Sequence, residues 1–244
     1  MEIAIPSYKR SQVLNQKTLP YLLSEGFNAS QITIFLANEE ERQIYQRDIS
    51  GFKFVVGQKG ICQQRLFIQQ YYPLNTKILS LDDDIRKVKL LRPDLTFKTL
   101  VEKLFDSVQK EGVSMWGLYP VNNLFFCKDR VIVGNFYIIA CCYGYINKQD
   151  ITEYPLSVES KEDCWYSLKR IQLDGAVLRY DGACPDTTYY AAGGLSETRT
   201  LATEESAARE VCKLFPELSK FLVKKNGHAE VKIKRKILKT FLLE

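Results

Sequence analysis

The chain lacks an uninterrupted run of about 18 apolar residues, the length that a membrane-spanning helix needs. It also lacks an early basic region followed by an apolar core, which is the pattern of a secretory signal peptide. Its 244 residues are 45% hydrophobic, enough to bury a substantial core in one compact unit. We therefore expect a soluble, cytoplasmic protein with no transmembrane segment.

Residue patterns that bind zinc are also missing. The seven cysteines include the adjacent pair Cys141 and Cys142, but they form no C-x-x-C sequence and no regular framework. Histidine occurs only once, as His228. These absences argue against a zinc site and predict free, buried thiols in a reducing compartment.

Neither sign of charge is in large excess. The 34 Lys and Arg against 29 Asp and Glu give a net charge of +5, too small to identify a nucleic-acid-binding protein. Basic residues concentrate between positions 220 and 239, where Glu230 is the only acid. Such a segment either covers a phosphorylated ligand or forms a solvated face, and both readings stay open. Its eight basic residues are Lys220, Lys224, Lys225, Lys232, Lys234, Arg235, Lys236 and Lys239.

The most informative stretch is residues 77–88, where an apolar run ends in three consecutive acids. Residues 78–81 predict a short buried strand, and Asp82, Asp83 and Asp84 follow at its carboxyl end, where open α/β sheets bind ligands. Adjacent carboxylates repel one another unless a cation neutralises them, and hard oxygen ligands suit Mg²⁺ or Mn²⁺. The context favours a metal site over a solvated acidic turn.

The residues before these acids alternate between strand and helix patterns. Short strands at residues 3–5, 31–37 and 52–57 are each followed by a helix, which predicts an α/β fold with a mostly parallel sheet and right-handed crossovers. No G-x-G-x-x-G follows the first strand, and no G-x-x-x-x-G-K-[ST] occurs. Both absences disfavour the nucleotide-binding domains that depend on these loops.

Polar side chains directly follow the first strand. Pro6 ends the strand because it cannot donate to a ladder, and Ser7, Tyr8 and Arg10 come next. Hydroxyl, aromatic and guanidinium groups hold a nucleotide by hydrogen bonding, stacking and phosphate pairing. The same residues also suit a helix cap, and the two roles are compatible.

Two further side chains lie near predicted strand ends. Glu39 follows the second strand and is placed to contact a ribose or base, while acids there also suit the helix dipole. Arg65 lies on a helix that follows Gly60 and is placed for a diphosphate; a surface salt bridge is the alternative.

The segments IAIPSYKR, Gly60 to Arg65 and ILSLDDD resemble the nucleotide-sugar half of a GT-A fold glycosyltransferase with a DxD motif. The I-x-I-P-S-Y-K-R opening and the L-D-D-D-I core are most similar to the TET-associated glycosyltransferases of phages and large viruses. This resemblance implies a single GT-A-like domain with a Rossmann-like, mostly parallel sheet flanked by helices. Residues 1–90 would bind the nucleotide sugar, and residues 91–244 would form the acceptor half and a basic carboxyl-terminal segment.

The resemblance also implies roles for individual residues. Asp84, with Asp82 or Asp83, would hold Mn²⁺ or Mg²⁺, completed by His228 near the carboxyl terminus. Glu162 and Asp163 resemble the ED motif of inverting enzymes, with Asp163 as catalytic base; a capping box with Ser160 is the structural alternative. The donor-binding residues would be Pro6, Ser7, Tyr8, Arg10, Glu39, Arg65, Asp82 and Asp83.

The implied reaction is metal-dependent transfer of a hexose from a nucleoside diphosphate sugar, with a UDP-sugar favoured. Its acceptor is a hydroxyl, such as that of a hydroxymethylated base in DNA or of a glycan. Two alternatives stay open: a nucleotidyltransferase of related fold, although its usual glycine-rich basic signature is missing, and a non-catalytic module that binds nucleic acid through the basic segment.

The second half carries weaker signals. Residues 97–111 predict an amphipathic helix and residues 135–145 one central strand. Trp116 and Tyr119 either belong to the core or stack on a ligand. Residues 189–199, with two adjacent glycines, fit either a lid or a plain turn.

Overall fold

The computed structural model describes residues 1–155, 160–187 and 200–243. The strands in these ranges are β1 (Glu2–Pro6), β2 (Ile32–Leu36), β3 (Lys53–Val56), β4 (Lys77–Leu81), β5 (Lys87–Leu90), β6 (Met115–Leu118), β7 (Val131–Asn135), β8 (Cys142–Ile146), β9 (Val177–Tyr180), β10 (Ala183–Asp186), β11 (Ser219–Val223), β12 (Ala229–Ile233) and β13 (Lys236–Phe241). The α-helices are α1 (Ser11–Gln16), α2 (Thr18–Ser24), α3 (Glu39–Asp48), α4 (Ile61–Tyr71), α5 (Phe97–Glu111), α6 (Glu162–Asp174) and α7 (Leu201–Leu214).

Nine strands form one twisted sheet in the order β13-β7-β9-β6-β8-β4-β1-β2-β3. Strand β1 pairs in parallel with both β2 and β4, and β2 pairs in parallel with β3. Only β7 and β8 run against the other strands of this sheet. The prediction of a single α/β domain with a mostly parallel sheet flanked by helices is therefore confirmed.

Hydrophobic residues cover both faces of this sheet. On one face α5 buries Leu100, Leu104 and Phe105, and each such side chain contributes about 1.5–3 kcal/mol relative to an exposed one. Its bounds match the prediction, because the Thr96 hydroxyl accepts a hydrogen bond from Thr99 N at 3.2 Å and Gly112 ends the helix in a left-handed conformation. On the other face α6 contributes a second core cluster.

The apolar stretch at residues 135–145 is not one strand, and that prediction was wrong. Strand β7 ends at Asn135, a connecting segment follows, and β8 begins at Cys142 in a different position of the sheet. The connection is apolar because it is buried: Ile138 is fully buried, and its backbone N donates to Ser167 Oγ at 3.0 Å. Burial of a loop thus imitates the pattern of a buried strand.

The basic carboxyl-terminal segment is folded. Strands β11 and β12 form an antiparallel hairpin, and β13 pairs with β7 at the edge of the main sheet. The segment contributes one strand to the main sheet and packs the hairpin against α7.

Several smaller expectations also have an outcome. All seven cysteines are free, and Trp116 lies in the core with its ring 5.5 Å from that of Phe105. Within the described ranges, every helix is too short or too polar to cross a membrane. The proposed lid at residues 189–199 lies outside the described residues.

Gly134 in β7 has no side chain, and this allows the backbone of β13 to pack closely against it. A Cβ atom at this position would lie 1.9 Å from the carbonyl oxygen of Lys236, so backbone would have to move. We expect Gly134→Ala to cost about 1–3 kcal/mol, as overpacking does, and to speed amide hydrogen exchange in residues 236–241. Gly112→Ala is the control, because its Cβ meets nothing within 4 Å and only backbone strain results. Equal protection of β13 in both variants would contradict this account.

Candidate active site

The carboxyl ends of β1 and β4 lie side by side, and this brings two distant segments together. Ser7 Oγ donates a 2.6 Å hydrogen bond to Asp83 Oδ2 and lies 2.6 Å from the Tyr45 hydroxyl. Arg10 Nη1 lies 3.2 Å from Asp83 Oδ1 and 3.7 Å from Asp84 Oδ2. The predicted nucleotide-binding loop is therefore held directly against the acidic turn.

Thr18, the first residue of α2, holds the acidic turn through two hydrogen bonds of its hydroxyl. The buried Thr18 hydroxyl accepts a hydrogen bond from Ile85 N at 2.9 Å and donates to the carbonyl oxygen of Asp82 at 3.0 Å. From another side, the Thr187 hydroxyl donates to Asp84 Oδ1. Neither threonine was identified from the sequence, because neither lies in a motif.

Asp82 has the most perturbed carboxyl group of the three. Burial raises the pKa of Asp82 to about 8; Arg65 opposes this shift, while Asp83 and Asp84 add to it. Arg10 approaches the other two acids but not this one within salt-bridge distance. Three carboxyl groups therefore lie together at this sheet edge, and charging all three is unfavourable without a further cation.

Arg65 connects the first half of the chain to helix α6. The buried guanidinium places Nη1 3.4 Å from Glu162 Oε1 and Nη2 3.4 Å from the carbonyl oxygen of Ala140. It also lies 5.6 Å from the centre of the Tyr143 ring. The surface salt bridge considered for Arg65 is therefore replaced by a buried one.

Asp163 lies in the first turn of α6 and has two hydrogen-bond donors. The Tyr137 hydroxyl donates to Asp163 Oδ2, and Cys164 N donates to Oδ1 at 2.8 Å. Burial, together with the adjacent Asp163, raises the pKa of Tyr137, which therefore stays protonated as a donor. The capping box with Ser160 is not formed, since Lys161 is the N-cap residue and makes no side-chain cap bond.

His228 and Glu39 contact other residues than those expected from the sequence. His228 Nδ1 lies 2.9 Å from Glu204 Oε2 of α7. In the described part of the chain, no three His, Cys, Asp or Glu side chains are grouped closely enough to hold a metal, so Asp82, Asp84 and His228 do not form the expected three-ligand cluster. Glu39 is exposed and pairs with Arg42, so it does not line the cleft.

A single cleft of about 1880 Å³ connects these features. Its lining includes the predicted residues Pro6, Ser7, Tyr8, Arg10, Arg65, Asp82, Asp83, Asp84, Glu162, Asp163 and His228. It also includes residues that sequence reasoning missed, namely Tyr137, Arg179 and Thr187. The acids that follow β4 and the acids at the start of α6 therefore line the same cleft, together with residues of the β11–β12 hairpin.

Asp82 and Asp84 have the donor chemistry of a Mg²⁺ or Mn²⁺ site. Both offer carboxyl oxygens, a divalent cation would favour the charged form of Asp82, and such ions commonly take only one or two protein carboxylates beside phosphate oxygens and water. The residues present therefore fit a divalent cation without a third protein ligand.

No protein-family profile matches this chain, and no curated protein sequence does. Among solved structures, it is similar to Mycobacterium tuberculosis glucosyl-3-phosphoglycerate synthase in complex with Mn²⁺, UDP and glucosyl-3-phosphoglycerate, with a TM-score of 0.53 and 10% identity over 99% of this chain and 89% of that one. The mannosyltransferase PcManGT of Pyrobaculum calidifontis, in complex with GDP-Man and Mn²⁺, has a TM-score of 0.54 at 9% identity, covering 88% of this chain.

Residues 1–349 of S. aureus TarS give a TM-score of 0.51 at 13% identity over 76% of this chain. The chain spans 59% of that TarS structure and 63% of the mannosyltransferase. Identities this low establish the fold alone, and that fold is the GT-A fold.

Thr18 provides a test of how the acidic turn is held. We expect Thr18→Val to lower the free energy of unfolding by about 1–3 kcal/mol, because the buried N–H of Ile85 loses the Thr18 hydroxyl as its acceptor. Thr18→Ser keeps the hydroxyl and should cost about 1 kcal/mol or less, the value of one buried methyl group. Denaturant unfolding of both variants measures the difference. Equal losses would show that packing, and not the hydrogen bond, fixes the turn.

Proposed function

We propose that this protein is a metal-dependent glycosyltransferase that moves a hexose from a nucleoside diphosphate sugar, with UDP-sugar favoured, to a hydroxyl acceptor. The observation that carries this proposal is the single cleft in which the acids after β4 face Asp163 at the start of α6. Support also comes from the shared fold with a synthase bound to UDP and Mn²⁺ and a mannosyltransferase bound to GDP-Man and Mn²⁺.

Residues 1–90 hold the donor in this proposal, and residues 91–244 form the acceptor side. Pro6, Ser7 and Tyr8 surround the nucleoside, with the Tyr8 ring available for stacking. Arg10 and Arg65 supply positive charge for the diphosphate, since both line the cleft beside the acidic turn. Glu39 has no support as a donor contact from its exposed position.

Asp82 and Asp84 would hold Mn²⁺ or Mg²⁺, while Asp83 stays bound to Ser7 and Arg10. When bound, the ion would neutralise negative charge that develops on the diphosphate leaving group. His228 remains a candidate third ligand, and its contact with Glu204 would have to open for that role.

Asp163 acts as the general base. Its carboxylate takes the proton of the acceptor hydroxyl as that oxygen forms a bond to the anomeric carbon, and the bond from this carbon to the diphosphate oxygen breaks on the opposite side. The product is an inverted glycoside. Tyr137 and the backbone N of Cys164 orient the carboxylate, while Glu162 is held by Arg65.

The proposed acceptor to test first is a hydroxymethylated base in DNA, because the opening segment and the L-D-D-D-I core resemble the TET-associated group. A glycan hydroxyl is the second choice. Incubation with UDP-glucose, GDP-mannose and related donors, Mn²⁺, and an oligonucleotide containing 5-hydroxymethylcytosine tests the assignment by product mass. Failure to consume any donor, with or without acceptor, would sink the proposal.

Asp163→Asn tests the catalytic base. The amide keeps the size of the side chain but cannot take a proton, so turnover should fall by about two to four orders of magnitude. Donor affinity should stay near that of the wild type, because Asp163 lies on α6 and not in the donor loop. Steady-state kinetics and a donor titration separate these effects. Tyr137→Phe is the companion variant, and it should retain far more turnover because the carboxylate remains.

Asp84→Asn tests the metal site. In the presence of UDP, Mn²⁺ affinity measured by calorimetry should fall by more than the about 10- to 100-fold that loss of a supporting outer group costs. Asp106→Asn is the control, because Asp106 is exposed and its salt bridge is with Lys77, away from the cleft lining. His228→Ala in the same titration decides the role of the histidine: unchanged Mn²⁺ affinity would remove it from the ligand set.

A further inference from the structure

Arg179 is a charged residue in the interior of the main sheet. It lies on β9 between Gly117 of β6 and Ile132 of β7, where apolar side chains are the rule. Only 6% of the residue is exposed, yet it lines the cleft. A buried guanidinium is costly unless partners compensate its charge, so its contacts decide what it does.

Two aromatic rings and one carboxylate hold Arg179 in place. Its guanidinium carbon lies 5.4 Å from the Tyr119 ring centre and 5.0 Å from that of Phe136. Its Nε donates to Asp181 Oδ1 at 2.8 Å. The other oxygen of Asp181 accepts a 3.0 Å hydrogen bond from Arg130 Nε. Among the described residues, two guanidinium groups therefore share this one carboxylate.

The two terminal nitrogens of Arg179 are the part of the side chain that can bind a ligand. Within the described ranges, neither Nη makes a hydrogen bond, and neither is among the buried nitrogens that are sealed from solvent. Because the rest of the side chain is enclosed, these atoms open into the cleft. The other buried arginines differ: Arg65 faces Glu162, and Arg170 meets both carboxylate oxygens of Asp150.

The position of Arg179 points to the acceptor side of the cleft. Strand β9 is three interstrand steps from β4, which is about 14 Å at the usual spacing. Its stacking partner Phe136 is instead the immediate neighbour of Tyr137, whose hydroxyl bonds Asp163. A group bound by Arg179 would thus lie on the side of the cleft formed by β9 and the segment that carries Tyr137.

We infer that Arg179 is an oxyanion-binding residue of the acceptor subsite, and that the acceptor carries a phosphate or carboxylate group near its reactive hydroxyl. A guanidinium that lies over two rings and is fixed through its Nε can offer its Nη pair to two oxygens at once, which is the geometry that carboxylates and phosphates match. The assignment of this site to the acceptor rests on the proposed function. The binding of an oxyanion by Arg179 does not depend on that function.

The site is tested first by binding alone. Wild-type protein is saturated with UDP and Mn²⁺, which fill the donor side, and then titrated with inorganic phosphate or with acetate by calorimetry. Arg179→Met should weaken phosphate binding by about 10- to 100-fold, the effect of losing a hydrogen bond between charged groups. Arg130→Met is the matched control, since Arg130 contacts the same Asp181 but does not line the cleft.

Arg179→Lys separates loss of the site from loss of the fold. It keeps the positive charge but replaces the two Nη atoms of the guanidinium with a single ammonium group. The phosphate affinity of Arg179→Lys should lie between those of the wild type and Arg179→Met. Melting temperatures of all variants show whether each one is folded. If Arg179→Met binds phosphate as the wild type does, or if Arg130→Met loses binding equally, the oxyanion site is wrong.

Acceptor preference is the second readout. The neutral nucleoside 5-hydroxymethyl-2′-deoxycytidine is compared with its 5′-monophosphate, and glucose with glucuronate, so that each pair differs by one oxyanion and the arms separate phosphate from carboxylate. Wild type should prefer the charged member of a pair in kcat/KM, and Arg179→Met should lose that preference. Transfer without any preference overturns the inference while the proposed function stands. Absence of donor consumption overturns the proposed function, and the phosphate titration then still decides the site.

Discussion

The parallel pairing of β1 with β4 is the constraint on which the site depends. It sets Ala4 opposite Ser80, so the chain leaves both strands at the same level and Ser7 reaches Asp83. Two buried carboxylates would otherwise carry an unpaired desolvation cost, and Ser7 with Arg10 offsets it. A shift in the register of β1 would separate these partners and leave the acidic turn without compensation.

A second buried ion pair transmits this arrangement to the other half of the chain. Arg65 on α4 meets Glu162 at the start of α6, and both side chains are almost fully enclosed. Because Asp163 is the next residue, the position of the proposed base follows from the position of α4. The acids after β4 and the acid on α6 are thus held relative to each other by contacts between elements far apart in sequence.

Local patterns were enough to predict the elements before residue 84, helix α5 and the acidic turn. The strands before residue 84 and helix α5 follow from hydrophobic periodicity and end signals, which are short-range properties. Contacts between residues far apart in sequence could not be predicted from such patterns. Tyr137 lies in an apolar stretch, and no residue near it in the sequence indicates that its hydroxyl bonds Asp163. Likewise, Glu39 and Glu41 are two positions apart on one helix and so face nearly opposite directions at 3.6 residues per turn. The pattern could not show that Glu41, which accepts a hydrogen bond from Lys9 N at 2.8 Å, is the buried one.

The two kinds of charged group in the cleft come from different strands. Carboxyl groups cluster at the acidic turn, where burial beside Asp83 and Asp84 raises the pKa of Asp82, whereas two guanidinium groups share Asp181 around Arg179. Lys220 and Lys232 also face each other across the β11–β12 ladder, and like charges directly opposite each other destabilise a sheet. In the proposed mode of binding, a cation at the acidic turn and an oxyanion at Arg179 would complement these groups. Substrates bound this way would complete the electrostatics of the folded chain, so binding on either side should stabilise it.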